Sequence, residues 1–232
     1  MIPRSVTFVR LTLRPVRYFL ARSLSVSAAR PVGDSMPPLM QMPHIYKPQL
    51  SHSLRNWFLA RTLITPYFDN DFSISEFSAG AKHAAVSVSN ALAEGEMDSV
   101  ENFLTEECLS VIKKEFSLFS KTQRSLLSID VKDIYMSFVF QIGILMEDTP
   151  SEEEEGKHTR HVEITWVGHT FPDYLGVVEE CGGNPVSVKR YMDERGGPQI
   201  LNYRFIREFT KGVEDDWTIN ALNHWLIMDP HS

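Results

Sequence analysis

The sequence predicts an α+β domain, with N-terminal helices packed on one face of a bent antiparallel sheet of about four strands. Between about residues 50 and 127, apolar residues recur at the spacing of amphipathic helices. From about residue 129 they alternate instead, which is the period of a strand. At 232 residues and 43% hydrophobic, the chain is long enough for one folded domain with an extension.

The first 30 residues have the composition of a mitochondrial presequence. They contain six arginines and four serines but no Asp or Glu. Apolar residues between the arginines fall near helical spacing, which predicts a basic amphipathic helix. The alternative is a basic arm that binds nucleic acid. A secretory signal fits less well, because the arginines interrupt every apolar run, and no run reaches the roughly 18 to 20 residues of a membrane span.

Without this presequence the protein is strongly acidic. Six of its 23 basic residues lie before residue 31, so 17 basic residues remain against 30 acids. Such a body is expected to repel nucleic acid and to attract basic partners, such as incoming presequences. The other interpretation is a solvated acidic surface with no partner. Only Cys108 and Cys181 are present, as expected for a reducing compartment.

Prolines mark the start of the folded part. Five of them fall between residues 31 and 48, which predicts a linker rather than regular structure. The predicted divisions are a presequence at 1–30, a proline-rich linker at 31–49, an amphipathic helix at 50–65 and the domain at 66–232.

The amphipathic helix at 50–65 is the candidate partner- or membrane-binding site. Its apolar face includes Leu54, Trp57 and Phe58, and Arg61 is one of its two charges. Such a helix lies on an anionic inner membrane or docks on a partner; alternatively, it closes over its own domain. These four residues are therefore the candidate contacts.

Capping rules explain the stretch that follows. Ser73 is predicted to be an N-cap with Glu76 at the N3 position, and Phe72 and Phe77 to form a hydrophobic staple. Apolar spacing carries this helix to Gly95, a left-handed C-cap. The stretch therefore indicates a scaffold rather than catalytic chemistry.

Two further helices are predicted before the sheet. One opens at Asp98, has Glu101 three residues later and continues through Ile112. The other is a short amphipathic segment from Glu115 to about Leu127. They complete the helical half of the domain.

The first predicted hairpin contains the clearest strand. Its proposed apolar face comprises Ile134, Met136, Phe138, Phe140, Ile142, Ile144 and Met146. A turn joins it to an alternating segment at 161–171. The turn contains an acidic run, which is interpreted as a solvated loop tip and is the candidate acidic docking surface: Glu152, Glu153, Glu154 and Glu155.

Residues 200–209 and 217–227 are predicted to be the last two strands. The apolar face of the second of these is predicted to comprise Trp217, Ile219, Ala221, Trp225 and Ile227. Glycines and prolines divide residues 172–199, which receive no firm assignment beyond loops around a short segment at 186–192.

Four polar residues are the candidates for an enzymatic site. His161, Glu163 and His169 share one strand face and could stand opposite Tyr135 as an acid–base pair in a pocket. The alternative is a polar sheet face exposed to water. The chain contains no nucleophile elbow, Walker loop, dinucleotide fingerprint or CxxC pair. No catalytic residue, metal ion or cofactor is therefore predicted.

The domain resembles the Tim-forty-four-like domain family over about residues 66–228. The matching features are Phe68-Asp69, Asp71-Phe72, Phe77, Gly80-Ala81-Lys82, the small-residue helix to Gly95, Leu104, and a strand pattern ending in Trp217 and Ile219. The resemblance implies a cone-like α+β fold with an apolar pocket, related to nuclear-transport-factor-two-like folds. The chain lacks the long charged region of the import-motor member, and its acidity differs from what is expected of the ribosomal member.

The likeness is greatest to family members that work with the AAA protease of the inner membrane. It implies a non-enzymatic matrix adaptor, peripheral to the inner membrane, that helps imported precursors mature and sort, such as the essential regulator subunit of the calcium uniporter. Implied partners are AAA protease subunits, precursors with basic presequences, the mitochondrial ribosome or the membrane surface, but no nucleic acid. The alternatives are an isomerase-type enzyme with a conical pocket, or a structural subunit with a large exposed apolar patch.

Overall fold

The computed structural model describes residues 36–148 and 158–227. Within these ranges the chain forms seven α-helices and one four-stranded antiparallel sheet in the order β1-β2-β3-β4. The helices are α1 (Leu50–Leu59), α2 (Thr65–Tyr67), α3 (Ile74–Glu94), α4 (Glu106–Phe116), α5 (Lys121–Ser125), α6 (Tyr174–Glu180) and α7 (Pro185–Glu194). The strands are β1 (Ile134–Asp148), β2 (His158–Thr170), β3 (Gln199–Glu208) and β4 (Thr218–Leu226). The predicted α+β class is confirmed.

Two sequence predictions lie outside these ranges. The presequence at 1–30 is one, and the acidic run Glu152–Glu155 is the other. Both stay predictions.

The main core lies between the helices and one face of the sheet, where Trp166 and Tyr203 are fully buried. Trp166 Nε1 donates a hydrogen bond of 3.0 Å to Ser78 Oγ on α3. Its ring lies over Gly168, where a Cβ atom would stand 2.5 Å from the nearest ring carbon. A larger residue at 168 would displace this central ring.

The predicted ends of α3 are confirmed. Ser73 Oγ accepts a hydrogen bond of 3.4 Å from the Glu76 backbone N–H, and the rings of Phe72 and Phe77 lie 6.3 Å apart. Gly95 has a φ of 78°, which is the left-handed conformation of a C-cap. Capping chemistry therefore accounts for much of the polar start of this helix.

An ion pair joins the segment before α3 to the sheet. Arg207 Nη1 on β3 donates a hydrogen bond of 3.2 Å to Asp69 Oδ2. The Arg207 guanidinium also lies 4.7 Å from the ring centroid of Phe209, whose ring packs edge-on against Phe68 at 5.6 Å. The Phe-Asp pair at 68–69 thus has a structural role.

The predicted second helix is interrupted. A 3-10 helix, Met97–Phe103, ends at Leu104, which forms a β-bridge with Ile219. Thr105 then starts α4, with its hydroxyl accepting from the Cys108 backbone N–H at 3.3 Å. The prediction of a single helix from Asp98 through Ile112 was therefore wrong, because the bridge at Leu104 and the cap at Thr105 interrupt it. α5 lies within the predicted third segment.

β-Bulges correct the predicted strand faces. Phe140 is an extra residue in β1, so Ile142 faces the helices while Phe138 packs on the opposite, outer face. Asn220 is an extra residue in β4, so Trp225 lies on the outer face although Ile219 is in the main core. The prediction of one continuous apolar face along each of these strands was wrong, because each bulge reverses the alternation of side chains between the two sheet faces.

Residues 172–199, which received no firm assignment, contain α6 and α7. The short segment at 186–192 lies within α7, whereas the interpretation as a loop was wrong for α6. Asn184 caps α7 through its side chain, and Pro185 occupies the first turn. Helices α6 and α7 pack on the rest of the domain through a separate small core: Phe171, Val177, Val188 and Met192.

Residues 36–48, here called the strap, lie against the sheet. Met36 and Leu39 are buried in the main core. The Leu39 N–H donates to Asn223 Oδ1 at 2.9 Å, and Asn202 Nδ2 donates to the Pro43 carbonyl at 3.0 Å. The prolines explain why the strap contains neither helix nor strand, but the predicted linker does not account for this burial.

Candidate functional site

α1 presents its apolar side chains to solvent. Leu50 is 77% exposed, Leu54 61%, Trp57 64% and Phe58 56%. Their spacing of four, three and one residues places them on one side of the helix. Three of the four sequence candidates lie in this set, and the fourth, Arg61, is also exposed. We call these four apolar residues the outward face of α1.

The opposite side of α1 is fixed to β1 through Asn56, which is 2% exposed. Asn56 Nδ2 donates to the carbonyls of Val139 and Phe140 at 3.2 and 3.0 Å. Its Oδ1 accepts from the Ile142 N–H at 3.0 Å. These bonds satisfy backbone groups beside the Phe140 bulge, so one buried amide determines which side of α1 faces outward.

We expect Asn56→Ala to loosen α1 and to lower the free energy of unfolding by about 1–3 kcal/mol, because three backbone groups lose their partner. Hydrogen exchange should accelerate throughout residues 50–64. Ser53→Ala on the same helix is the control, because its hydroxyl makes an exposed bond to the Gln49 carbonyl. Equal exchange in the two variants would contradict the role assigned to Asn56.

A π-helical turn, Ala60–Ile64, continues α1 into α2. Thr65 Oγ1 donates to the Ala60 carbonyl at 2.8 Å. Ala60 and Ile64 are buried, so the turn keeps the inner side of the helix on the core. The orientation of α1 is therefore fixed near its centre by Asn56 and at its C-terminal end by this turn.

The enzymatic hypothesis requires four residues to converge, but only two of them do. The rings of Tyr135 and His169 lie 5.9 Å apart and edge-on. Burial raises the pKa of Tyr135 to about 12 and lowers the pKa of His169. The Tyr135 ring is stacked on Tyr174 at 4.4 Å. This pair is packed among aromatic rings.

The other two residues lie towards the far end of β2. His161 and Glu163 precede His169 by eight and six residues, which is roughly 20–26 Å along a strand. Glu163 Oε1 accepts from Asn220 Nδ2 at 2.7 Å and lies 3.6 Å from Arg204 Nε. The prediction of a shared strand face is correct, but the four residues do not form one site.

A buried polar cluster escaped sequence analysis. Tyr203 OH lies 2.9 Å from His224 Nε2 and 3.0 Å from Ser89 Oγ, between α3 and the sheet. All three are fully buried, and burial lowers the pKa of His224 to about 3. The cluster combines an imidazole with two hydroxyls, and all three side chains are shielded from solvent. The cluster is therefore structural.

A hollow with a volume of about 420 Å³ lies between α1, α3 and β1. Several serines line it, with Lys82, whose Nζ donates to the Ile134 carbonyl at 3.1 Å. The resemblance implied an apolar pocket. Trp166 and Tyr203 instead fill the space between helices and sheet. The open hollow has a mixed lining, with Ile74, Phe138 and Val139 beside the serines.

The described residues contain neither a membrane span nor a metal centre built from His, Cys, Asp and Glu ligands. None of their helices is long and apolar enough to cross a membrane. Nor do their His, Cys, Asp and Glu residues contain a group of three or more that could hold a metal ion.

Fold and surface together define an α+β domain with an amphipathic helix whose apolar side faces outward. The chain is similar to m-AAA protease-interacting protein 1, mitochondrial, from several mammals. It is 32% identical to the rat protein, 31% to the mouse protein and 29% to the human protein, over 181 residues in each case. The aligned region covers 75% of this chain but 59% of each relative. No family model matches, so the likeness to the Tim-forty-four-like domain stays a prediction.

Proposed function

We propose that this chain is a non-catalytic mitochondrial adaptor that acts in the matrix with the m-AAA protease. The observation that carries the proposal is its similarity, over 75% of its length, to proteins named for their interaction with that protease. In this role the chain binds imported precursors and promotes their maturation and sorting. The essential regulator subunit of the calcium uniporter is one such precursor.

A non-catalytic role fits the polar groups of the described residues. His224, Tyr203 and Ser89 are sealed in the core, and Glu163 is occupied by Asn220 and Arg204. Tyr135 and His169 are packed among aromatic rings, and His161 lies towards the far end of β2. An isomerase-type reaction needs an acid and a base within reach of one substrate, and this arrangement does not provide them.

Charge supports the binding of basic precursor segments. No Lys or Arg lies between Lys82 and Lys113. We call the exposed carboxylates in that interval the acidic surface: Glu94, Glu96, Asp98, Glu101, Glu106 and Glu107. Within the described part of the chain, Asp98 is the only one of these carboxylates in an ion pair, and its partner is Lys113 at 3.6 Å. Unpaired carboxylates in water attract basic segments and accelerate their association. The predicted Glu152–Glu155 run is a second candidate for binding basic segments.

The test is purification of a C-terminally tagged chain from gently solubilised mitochondria, followed by mass spectrometry. We expect protease subunits and unprocessed precursors to copurify. Replacing Glu94, Glu96 and Glu101 by Gln should reduce precursor recovery by about fivefold or more but leave the protease bound. The matched control replaces three other exposed acids, Glu179, Glu180 and Glu194.

Two results would count against the proposal. Recovery of mitochondrial ribosomal proteins without protease subunits would reject the protease association. Equal precursor loss in both triple variants would reject the acidic surface.

A further inference from the structure

We propose that three sulfur atoms at the contact between the strap and α4 bind Cu(I). The ligands are the Cys108 thiolate on α4 and the thioethers of Met40 and Met42 on the strap. The bound ion would join the start of the described chain to the helical half of the domain. This inference goes beyond the proposed function and does not depend on the protease.

Two of the three sulfur atoms already lie close enough to share one metal ion. The Cys108 thiol donates a hydrogen bond to Met40 Sδ, and the two sulfur atoms are 3.6 Å apart. With metal–sulfur bonds of about 2.3 Å, this separation corresponds to an angle of roughly 100° at the ion. An increase of about 0.4 Å would give the 120° angle of a three-coordinate ion. Binding therefore needs only small movements of the two side chains.

The third sulfur atom comes from the same segment of the strap. Met40 and Met42 are half-buried, and both line a hollow of about 430 Å³, here called the strap hollow. Residues i and i+2 of an extended segment lie on the same side of the chain, which explains why the two methionines share this hollow. The strap hollow therefore gives an ion a path to Met40 Sδ and to the Cys108 sulfur in contact with it.

The ligand types select a soft, singly charged ion. Thiolate and thioether ligands favour Cu(I), whereas Mg²⁺ and Ca²⁺ prefer oxygen ligands. Among the described residues, those lining the strap hollow include no Asp or Glu. Cys108 is completely buried, and its single thiolate neutralises one Cu⁺. A divalent ion would leave a net positive charge at this buried position, which costs free energy.

Binding exchanges a proton for the metal ion and involves no redox step. Burial raises the pKa of the Cys108 thiol to about 12, so the metal-free thiol is protonated at neutral pH. When Cu⁺ binds, the S–H bond breaks, a Cu–S bond forms and the proton passes to water. The copper stays Cu(I) throughout.

Hydrogen bonds on both sides of the two methionines hold this part of the strap in place. The N–H of Leu39 donates to Asn223 Oδ1 at 2.9 Å. The carbonyl of Pro43 accepts from Asn202 Nδ2 at 3.0 Å. The segment between these bonds is thus ordered before the ion arrives, which reduces the entropic cost of binding.

The test is an anaerobic titration of the full, reduced chain with Cu(I), in competition with the chelator bathocuproine disulfonate. Every protein carries Cys181→Ala, so that Cys108 is the only thiol. We expect one Cu(I) per chain and sulfur neighbours in the copper X-ray absorption spectrum. Cys108→Ala should lower the affinity by about 100-fold, and Met40→Leu or Met42→Leu by about tenfold.

Two further variants serve as controls. Met146→Leu removes a methionine that is 64% exposed on β1. His44→Phe keeps a ring on Trp225, against which His44 is stacked at 4.7 Å, but removes an imidazole that lines the strap hollow. Neither change should alter the affinity. Leucine has nearly the volume of methionine, so the methionine variants still test the site if Cys108→Ala fails to fold.

The absence of binding to the chain with all three sulfur ligands would overturn the proposal, as would an equal affinity after Cys108→Ala. Loss of affinity in His44→Phe but not in Met42→Leu would overturn the assignment of the third ligand. An equal affinity for Zn²⁺ would overturn the selection by charge and softness. Because the titration contains no protease, failure here is independent of the adaptor proposal.

Discussion

Trp166→Ala should lower the free energy of unfolding by about 3–5 kcal/mol, the largest effect that we expect of any single substitution in this chain. The indole is fully buried at the centre of the sheet, under α3. Its removal leaves a cavity above Gly168 and takes away the donor to Ser78 Oγ. Urea denaturation followed by far-ultraviolet circular dichroism measures the loss without relying on tryptophan fluorescence.

Trp57→Ala is the matched control, because the same side chain is removed from the solvent-facing side of α1. We expect a change within about 0.5 kcal/mol there. A loss at Trp57 as large as that at Trp166 would mean that α1 is turned inward. It would contradict the exposure of this side of α1.

Acidification should destabilise the domain through His224. This imidazole is fully buried and accepts or donates only within the cluster with Tyr203 and Ser89, so burial lowers its pKa to about 3. In the unfolded chain its pKa is about 6.5. Between these pH values the imidazole is protonated in the unfolded chain but neutral in the folded one. The free energy of unfolding therefore decreases as the pH falls from about 6.5 towards 3.

At pH 5 the difference amounts to about 2 kcal/mol relative to pH 7. His224→Gln keeps a hydrogen-bonding group near Tyr203 but does not titrate, so its stability should fall less steeply over this range. His169, whose pKa burial also lowers, contributes a slope of the same sign in both proteins. Parallel stability–pH curves for the two proteins would show that His224 does not titrate in this range.

Sequence analysis was most successful where structure is determined locally. The cap of α3 at Ser73 and its end at Gly95 depend on neighbouring residues, and both are confirmed. The four strands were predicted from alternation, which every strand carries in its own sequence. Residues 172–199 received no firm assignment for a related reason. Their glycines and prolines, which usually mark loops, here end α6 and begin α7.

Features that depend on pairing between distant segments could not be predicted. The bulges at Phe140 and Asn220 arise from register between strands, and they move apolar residues to opposite sheet faces. The cluster around His224 joins α3, β3 and β4. No local pattern distinguishes that histidine from an exposed one.

The candidate site illustrates both cases. Helical periodicity identified α1 and its apolar residues, including Leu54, Trp57 and Phe58. The pattern does not say whether an apolar side faces the core or the solvent. That choice depends on Asn56, a polar residue whose partners lie more than 80 positions away in β1. The prediction that this helix binds a partner or a membrane depends on this orientation.

The strap has a consequence for the order in which the chain folds. The Leu39 N–H pairs with Asn223, 184 residues later, so one of the first described segments closes on the last strand. When the chain emerges N-terminus first, from a ribosome or a translocation channel, the strap emerges long before β4. Contacts of such long range are slow to form, because a large loop must close first. Until then Met36 and Leu39 cannot enter the completed core, and the emerging chain exposes apolar side chains that favour aggregation.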